Sequence, residues 1–128
     1  MSFPSVVEAL WSELQAVRGD VLTEAEGLTQ AEADWRSSDQ DWSVGEILHH
    51  LTLADVNTGK LTSKLIKEAD AAGRLAPYPP DLTAFAPLPS PPPGPAEAPP
   101  VVRPEKGRPI GQLLDDMRAA RDRSRQSI

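Results

Sequence analysis

The stretch Trp42-Ser43-Val44-Gly45-Glu46-Ile47-Leu48-His49-His50-Leu51 joins a helix start signal to the two histidines of the chain. Ser43 and, three residues later, Glu46 form a capping box, in which each side chain bonds the backbone N–H of the other residue. A helix is therefore predicted over residues 43 to 72. Gly73 follows it as a residue suited to ending a helix.

The position of the histidines around this helix follows from its pitch. With Ile47 at the centre of an apolar face and about 100° per residue, His50 lies at the edge of that face. His49 lies about 180° from its centre and is predicted to contact water. Positions within roughly 60° of the centre are Val44, Leu51, Ala54, Thr58, Leu61 and Leu65.

The segment resembles the DinB/YfiT-like superfamily. In members of that superfamily the second bundle helix typically opens with Trp-Ser and continues through an acidic residue and two aliphatic residues. It then carries a metal-binding histidine just before a leucine. The matching pair here is His50 and Leu51. The resemblance extends over most of the chain and implies an all-α, up-and-down helical bundle of DinB/YfiT type. It also implies that His50 is a ligand of a divalent metal, Zn or Ni.

Members of this superfamily usually place two more histidines, at i and i+4, on a fourth helix, and this sequence has none after His50. The resemblance implies a divalent-metal-dependent transferase or hydrolase, with thiol transfer as the chemistry of relatives. Because catalytic zinc normally has three protein ligands, the chain is expected to be inactive or to bind metal weakly by itself. Two alternatives stay open: a non-catalytic helical module that dimerises or binds a partner helix, and a truncated product.

Composition excludes several classes of protein. The net charge of −6 opposes nucleic-acid binding, which needs a basic surface. The absence of cysteine excludes disulfides and thiolate chemistry from the protein side. No apolar run is long enough to span a membrane, and no leader pattern opens the chain. A single cytoplasmic domain over residues 1–128 is therefore expected, acting on an unknown small-molecule substrate.

A first helix is predicted over residues 5–26. Ser5 and Glu8 provide a second capping box, and apolar residues follow at spacings of three and four: Val7, Leu10, Leu14, Val17 and Val21. Thr29 and Glu32 can cap one short turn after it. Trp35 and Trp42 are interpreted as covering one end of the bundle.

The connection over residues 76–109 holds 13 of the 14 prolines. Proline lacks a backbone donor, so no helix longer than a turn or two is predicted there. Tyr78, Leu82 and Phe85 are expected to pack back over the bundle. Helix 3 is predicted over residues 110–127, with one apolar stripe made of Ile110, Leu113, Leu114, Met117, Ala120, Ser124 and Ile128.

Basic residues gather at the far ends of the second and third helices. The cations Lys60, Lys64, Lys67 and Arg74 are interpreted as complementing the negative helix terminus. The arginines near the end of helix 3 have the same interpretation, with an anionic site using Arg121 as the lesser alternative. The apolar stripes are wider than three helices can cover for one another, so a homodimer is expected.

Overall fold

The computed structural model describes residues 3–77, 89–94 and 96–127. Within these ranges the chain forms helices and no strand, which confirms the all-α prediction. The helices are α1 (Ser5–Glu26), α2 (Gln30–Asp34), α3 (Val44–Ala71) and α4 (Ile110–Ser127), with a 3-10 turn over Pro100–Val102. The three long helices lie close to the predicted spans 5–26, 43–72 and 110–127.

The core lies where α3 and α4 pack together. Leu48 of α3 and Leu113 and Met117 of α4 are its largest fully buried side chains. Ala25 and Leu114 complete the buried cluster, and partly buried apolar residues surround it: Val21, Leu22, Leu28, Leu51 and Ile110. The predicted apolar stripe of the last helix is thus confirmed up to Ser124, and Ile128 lies outside the described residues.

Local signals set both ends of α3. The Ser43 hydroxyl accepts from the N–H of Glu46 at 3.1 Å, and the Glu46 carboxylate accepts from the N–H of Ser43 at 3.2 Å. This is the predicted capping box. At the other end Gly73 has a φ of 68°, and the N–H groups of Gly73 and Arg74 bond the carbonyls of Asp70 and Ala69. That pairing is a Schellman motif, which favours glycine at this position.

The start of α1 differs from the prediction. Pro4 is the N-cap residue, no side chain caps the helix, and Ser5 already has a helical position. Glu8 does not reach back to Ser5; its carboxylate accepts instead from Arg125 of α4 at 3.3 Å. The predicted second capping box is therefore wrong, because Glu8 forms a tertiary ion pair with Arg125 instead. The short box of Thr29 and Glu32 does form, at the start of α2.

The face that α3 buries also differs from the prediction. Its buried residues include Gly45, Leu48 and Thr52, and Thr52 lies about 140° around the helix from Ile47. A Cβ atom on Gly45 would lie 3.3 Å from the carbonyl oxygen of Ala33, so glycine permits the close approach of α2. Ile47, Leu61 and Leu65 are exposed; they are called the α3 stripe below.

Helix α1 likewise leaves one row of apolar residues facing outward. Val6, Leu10, Leu14 and Val17 are exposed, Leu10 by 56%, and they are called the α1 stripe. The opposite face of α1 meets the other helices through charged groups, such as Arg18, which donates to Asp55 of α3 at 2.8 Å. Only the last turns of α1 reach the apolar core, through Val21, Leu22 and Ala25.

The described parts of the proline-rich connection contain one short 3-10 turn, Pro100–Val102, which contacts α3. After it the chain reaches α4, where Gln30 of α2 accepts from the N–H of Ile110 at 2.8 Å. Tyr78, Leu82 and Phe85 lie outside the described residues. Among the helices described here, none has the length and apolar character needed to cross a membrane.

Candidate metal centre

His50 lies in the second turn of α3 and is half-buried. Its ring centroid is 5.0 Å from that of Trp42. Its Nδ1 atom is 2.7 Å from the carbonyl oxygen of Val102. A carbonyl oxygen only accepts, so Nδ1 carries the hydrogen and the lone pair of the neutral imidazole is on Nε2.

The 3-10 turn that supplies this carbonyl is fastened to α3 at a second point. Asn57 donates from Nδ2 to the carbonyl of Val101 at 3.3 Å, and the same atom donates to Leu53 at 2.8 Å. Metal-binding histidines usually donate their other ring N–H to a carbonyl or carboxylate, which orients the ring and raises its basicity. The setting of His50 therefore fits one ligand position of a metal site.

The remaining ligand positions are not filled by the described residues. Among them no group of three histidine, cysteine, aspartate or glutamate side chains is placed to hold a metal ion. Glu46 lies one turn before His50, but its carboxylate accepts from the Ser43 N–H and lies 3.8 Å from Arg36. The described residues thus fit a metal at one donor and do not complete a site.

His49 is buried, with 8% of its surface exposed, so the prediction that it contacts water is wrong. Its Nδ1 atom accepts a hydrogen bond of 2.9 Å from the N–H of Glu105. Burial, and next the positive charge of Arg108, lower the pKa of His49 from its ordinary value of 6.5. Its Nδ1 lone pair is already used, which leaves His50 as the better-placed metal ligand of the two.

The two backbone partners, Val102 and Glu105, are features that sequence reasoning missed. A backbone carbonyl or N–H has no side-chain signature, and both belong to a connection for which the sequence predicted only that long helices are absent. Proline density predicts where helices are absent, but it carries no information about the helix against which a segment lies.

A surface cavity of about 780 Å³ opens beside Trp42, at the N-terminal end of α3. Charges of both signs line it, including Asp41, Glu46, Arg103 and Lys106. Hydrogen bonds from the hydroxyls of Ser37 and Ser38 hold the pKa of Asp41 below its ordinary value, so this carboxylate is ionised at neutral pH.

The two tryptophans that were predicted to cover a bundle end differ. Trp42 packs on His50 and also lines the cavity. Trp35 is 69% exposed, so the prediction is wrong for this residue. The backbone N–H of Trp35 donates to the carbonyl of Glu32 at the end of α2. The backbone of Trp35 is extended there and does not direct the indole into the bundle.

Comparison with known families places these features in context. The family model described as the DinB superfamily matches residues 13–128, and the chain therefore belongs to the DinB superfamily. The match confirms the resemblance carried by the Trp42 to Leu51 segment. No protein with curated annotation and no solved structure matches the chain significantly.

Proposed function

We propose that this member of the DinB superfamily is a divalent-metal-dependent transferase or hydrolase in which His50 supplies one metal ligand through Nε2. The observation that carries the proposal is the hydrogen bond from Nδ1 of His50 to the carbonyl of Val102. That bond selects the tautomer with a free Nε2 lone pair. It is also the kind of support that metal-binding imidazoles have.

Further ligands must come from groups other than the described residues of the same chain, for example from a second copy of the chain. A bound divalent metal would lower the pKa of a coordinated water or thiol, which suits the thiol transfer that the family resemblance implies. The chain's own contribution is positional. Val102 and the Trp42 ring orient His50, while the neighbouring cavity offers Asp41 and Arg103 as polar contacts for a substrate.

Metal titration of the full chain tests this role. Zn²⁺ and Ni²⁺ binding is measured by calorimetry, with elemental analysis of the purified protein. We expect weak binding that His50→Ala abolishes. His49→Gln is the matched control, because an amide oxygen still accepts from the Glu105 N–H, and it should leave binding nearly intact. Equal loss in both variants, or tight stoichiometric binding that survives His50→Ala, would overturn the assignment.

A second function is favoured by a separate observation. The α1 stripe and the α3 stripe leave large apolar side chains in water, and in a small domain such surfaces are typical of association. The alternative is a non-catalytic helical module that buries these stripes by forming a homodimer or by binding a partner helix. If the stripes are buried in a homodimer, the mass in solution will exceed that of a monomer and His50→Ala will not change it.

A further inference from the structure

A groove of about 600 Å³ runs between the C-terminal half of α3 and the end of α4. Its α3 residues run from Asp55 to Glu68, and none of its lining residues contacts His50 or lines the cavity beside Trp42. Asp55, the first of them, lies about 140° around the helix from His50. The groove is therefore separate from the candidate metal centre. It is called the α3–α4 groove.

Small side chains leave this groove open. Gly59 and Ser63 of α3 face Ala120 and Ser124 of α4 across it, and Val56 adds an apolar surface. A Cβ atom built on Gly59 meets nothing within 4 Å, so no neighbour in the described residues requires glycine there. Glycine is also unfavourable in a helix interior. Gly59 therefore lowers the stability of the helix and leaves unfilled space beside an apolar surface.

Cationic side chains surround the opening. Lys60, Lys64, Lys67 and Arg123 line the groove, on a chain whose net charge is −6. The interpretation that these cations complement the negative end of the helix does not account for Lys60 and Lys64. They lie about three and two turns before the end of α3, and the terminal field falls off within the last turn.

The two carboxylates in the groove do not cancel this charge. Glu68 lies 3.9 Å from Lys64, and both side chains are exposed, so this ion pair is weak and leaves Lys64 able to bind an anion. Asp55 is shared by two arginines outside the groove, at 2.8 Å from Arg18 and 3.5 Å from Arg121. Both arginine side chains are nearly buried, with exposures of 11% and 12%. The aspartate therefore adds no net negative charge for a ligand to overcome.

We infer that the α3–α4 groove binds a small organic anion with an apolar body. Its charged group lies between Lys60 and Lys64, and its body lies on Val56, Gly59 and Ala120. The volume is within the range of ligand sites, and a cationic rim over an apolar floor is complementary to an amphiphilic monoanion such as a medium-chain carboxylate.

The probe for this inference is decanoate, titrated into the full chain below its micelle concentration and followed by amide NMR shifts. We expect saturable shifts at Gly59, Ser63 and Ser124, and binding that weakens as salt is raised. Decanol has the same apolar body without the charge and should bind more weakly. The double variant Lys60→Gln/Lys64→Gln should lower decanoate affinity about tenfold. Arg74→Gln, a cation outside the groove, should not.

A steric test is independent of charge. Gly59→Phe places a ring in the open space and should abolish decanoate binding. Gly19→Phe is its matched control, because a Cβ on that α1 glycine also meets nothing within 4 Å. Thermal melting checks that each variant folds. If Gly59→Phe does not fold, Ser63→Leu replaces it as the blocking substitution.

Three results would overturn the inference. The first is decanol binding as tightly as decanoate, which would make the site merely apolar. The second is decanoate shifts confined to the α1 stripe. The third is that decanoate dissociates a dimer and still binds the Gly59→Phe variant. That result would assign decanoate to a protein interface elsewhere.

Discussion

The adjacent residues His49 and His50 have opposite hydrogen-bond roles, although they share one side chain type and one helix. The carbonyl of Val102 makes Nδ1 of His50 a donor, while the N–H of Glu105 makes Nδ1 of His49 an acceptor. The proline-rich connection supplies both groups. Its path across α3 therefore decides which imidazole has an Nε2 lone pair available for a metal.

At the residue scale we expect stability to depend on pH through His49. Burial and Arg108 lower its folded pKa, and the opposing charges of Glu105 and Asp116 only partly offset them. The unfolded chain takes up the proton near pH 6.5, so between that pH and the lower folded pKa it binds more protons than the folded chain. The free energy of unfolding should therefore be level above pH 6.5 and should fall as pH decreases below it.

Urea denaturation between pH 7.5 and 5.5, with EDTA present, measures this dependence. His49→Gln is the control, because it keeps an acceptor for Glu105 without a titrating group. The variant should have a flatter profile. A wild-type profile that is equally flat would show that His49 is not held in the neutral form.

A second prediction at this scale concerns Asp55, which balances Arg18 and Arg121. Burial and the neighbouring Arg121 lower the pKa of Arg18, so its positive charge is costly without the carboxylate. Asp55→Asn should destabilise the protein by about 2 kcal/mol, because it removes a charged hydrogen bond and leaves two partly buried arginines without their carboxylate. Glu68→Gln, which removes an exposed carboxylate, should change stability by less than about 0.5 kcal/mol. Chemical denaturation of both variants provides the comparison.

At the scale of the element, the helix starts differ in how they are stabilised. The capping box of α3 is buried and fully formed, whereas α1 has Pro4 at its N-cap and no side-chain cap. Ser43 and Ser5 therefore have the same sequence signature and different structural roles.

Ser43→Ala should lower the free energy of unfolding by about 1 kcal/mol, the usual cost of losing an N-cap hydrogen bond. Ser5→Ala should be neutral or slightly stabilising, because alanine favours a helical position and no capping bond is lost. Thermal and urea melts of the two variants measure the difference. Equal effects would contradict the assignment of the cap to Ser43 alone.

At the scale of the whole molecule, the arrangement of α1 is unusual. The face of α1 toward α4 carries polar residues and Trp11, whose ring contacts the guanidinium groups of Arg121 and Arg125, while the α1 stripe faces water. Arginines of α4 pair with this inner face along its length: Arg118 with Glu26, Arg121 with Gln15, and Arg125 with Glu8. The α1 stripe is therefore a surface that a second copy of the chain could cover.

We expect a homodimer in which the α1 stripe is buried. Leu10→Gln with Leu14→Gln should shift the sedimentation coefficient to that of a monomer while helical content is retained. Polar substitution of Leu113 and Met117 should instead unfold the chain, because both side chains are buried in the core. A wild-type protein that sediments as a compact, cooperatively melting monomer at micromolar concentration would contradict this expectation.

Local chemistry in the sequence determined where the helices lie. The capping box at Ser43, the glycine at position 73 and the prolines before Ile110 act within a few residues, so their effect can be predicted without tertiary contacts. The buried stripe of α4 was also predictable, because one strongly apolar face gives a helix little choice of orientation. The family pattern of the Trp42 to Leu51 segment singled out His50 as a candidate ligand, and that role stays a prediction.

Only the tertiary structure decided which faces of α1 and α3 are buried and what surrounds His49. Both helices carry two faces that could be covered, and periodicity alone selects the more apolar one. Tertiary packing selects the other face, because Arg18 of α1 pairs with Asp55 of α3 and Gly45 of α3 lies against Ala33 of α2 and Leu113 of α4. The burial of His49 has the same origin. Its hydrogen bond joins residues 56 positions apart, and no local pattern encodes a backbone group arriving from that distance.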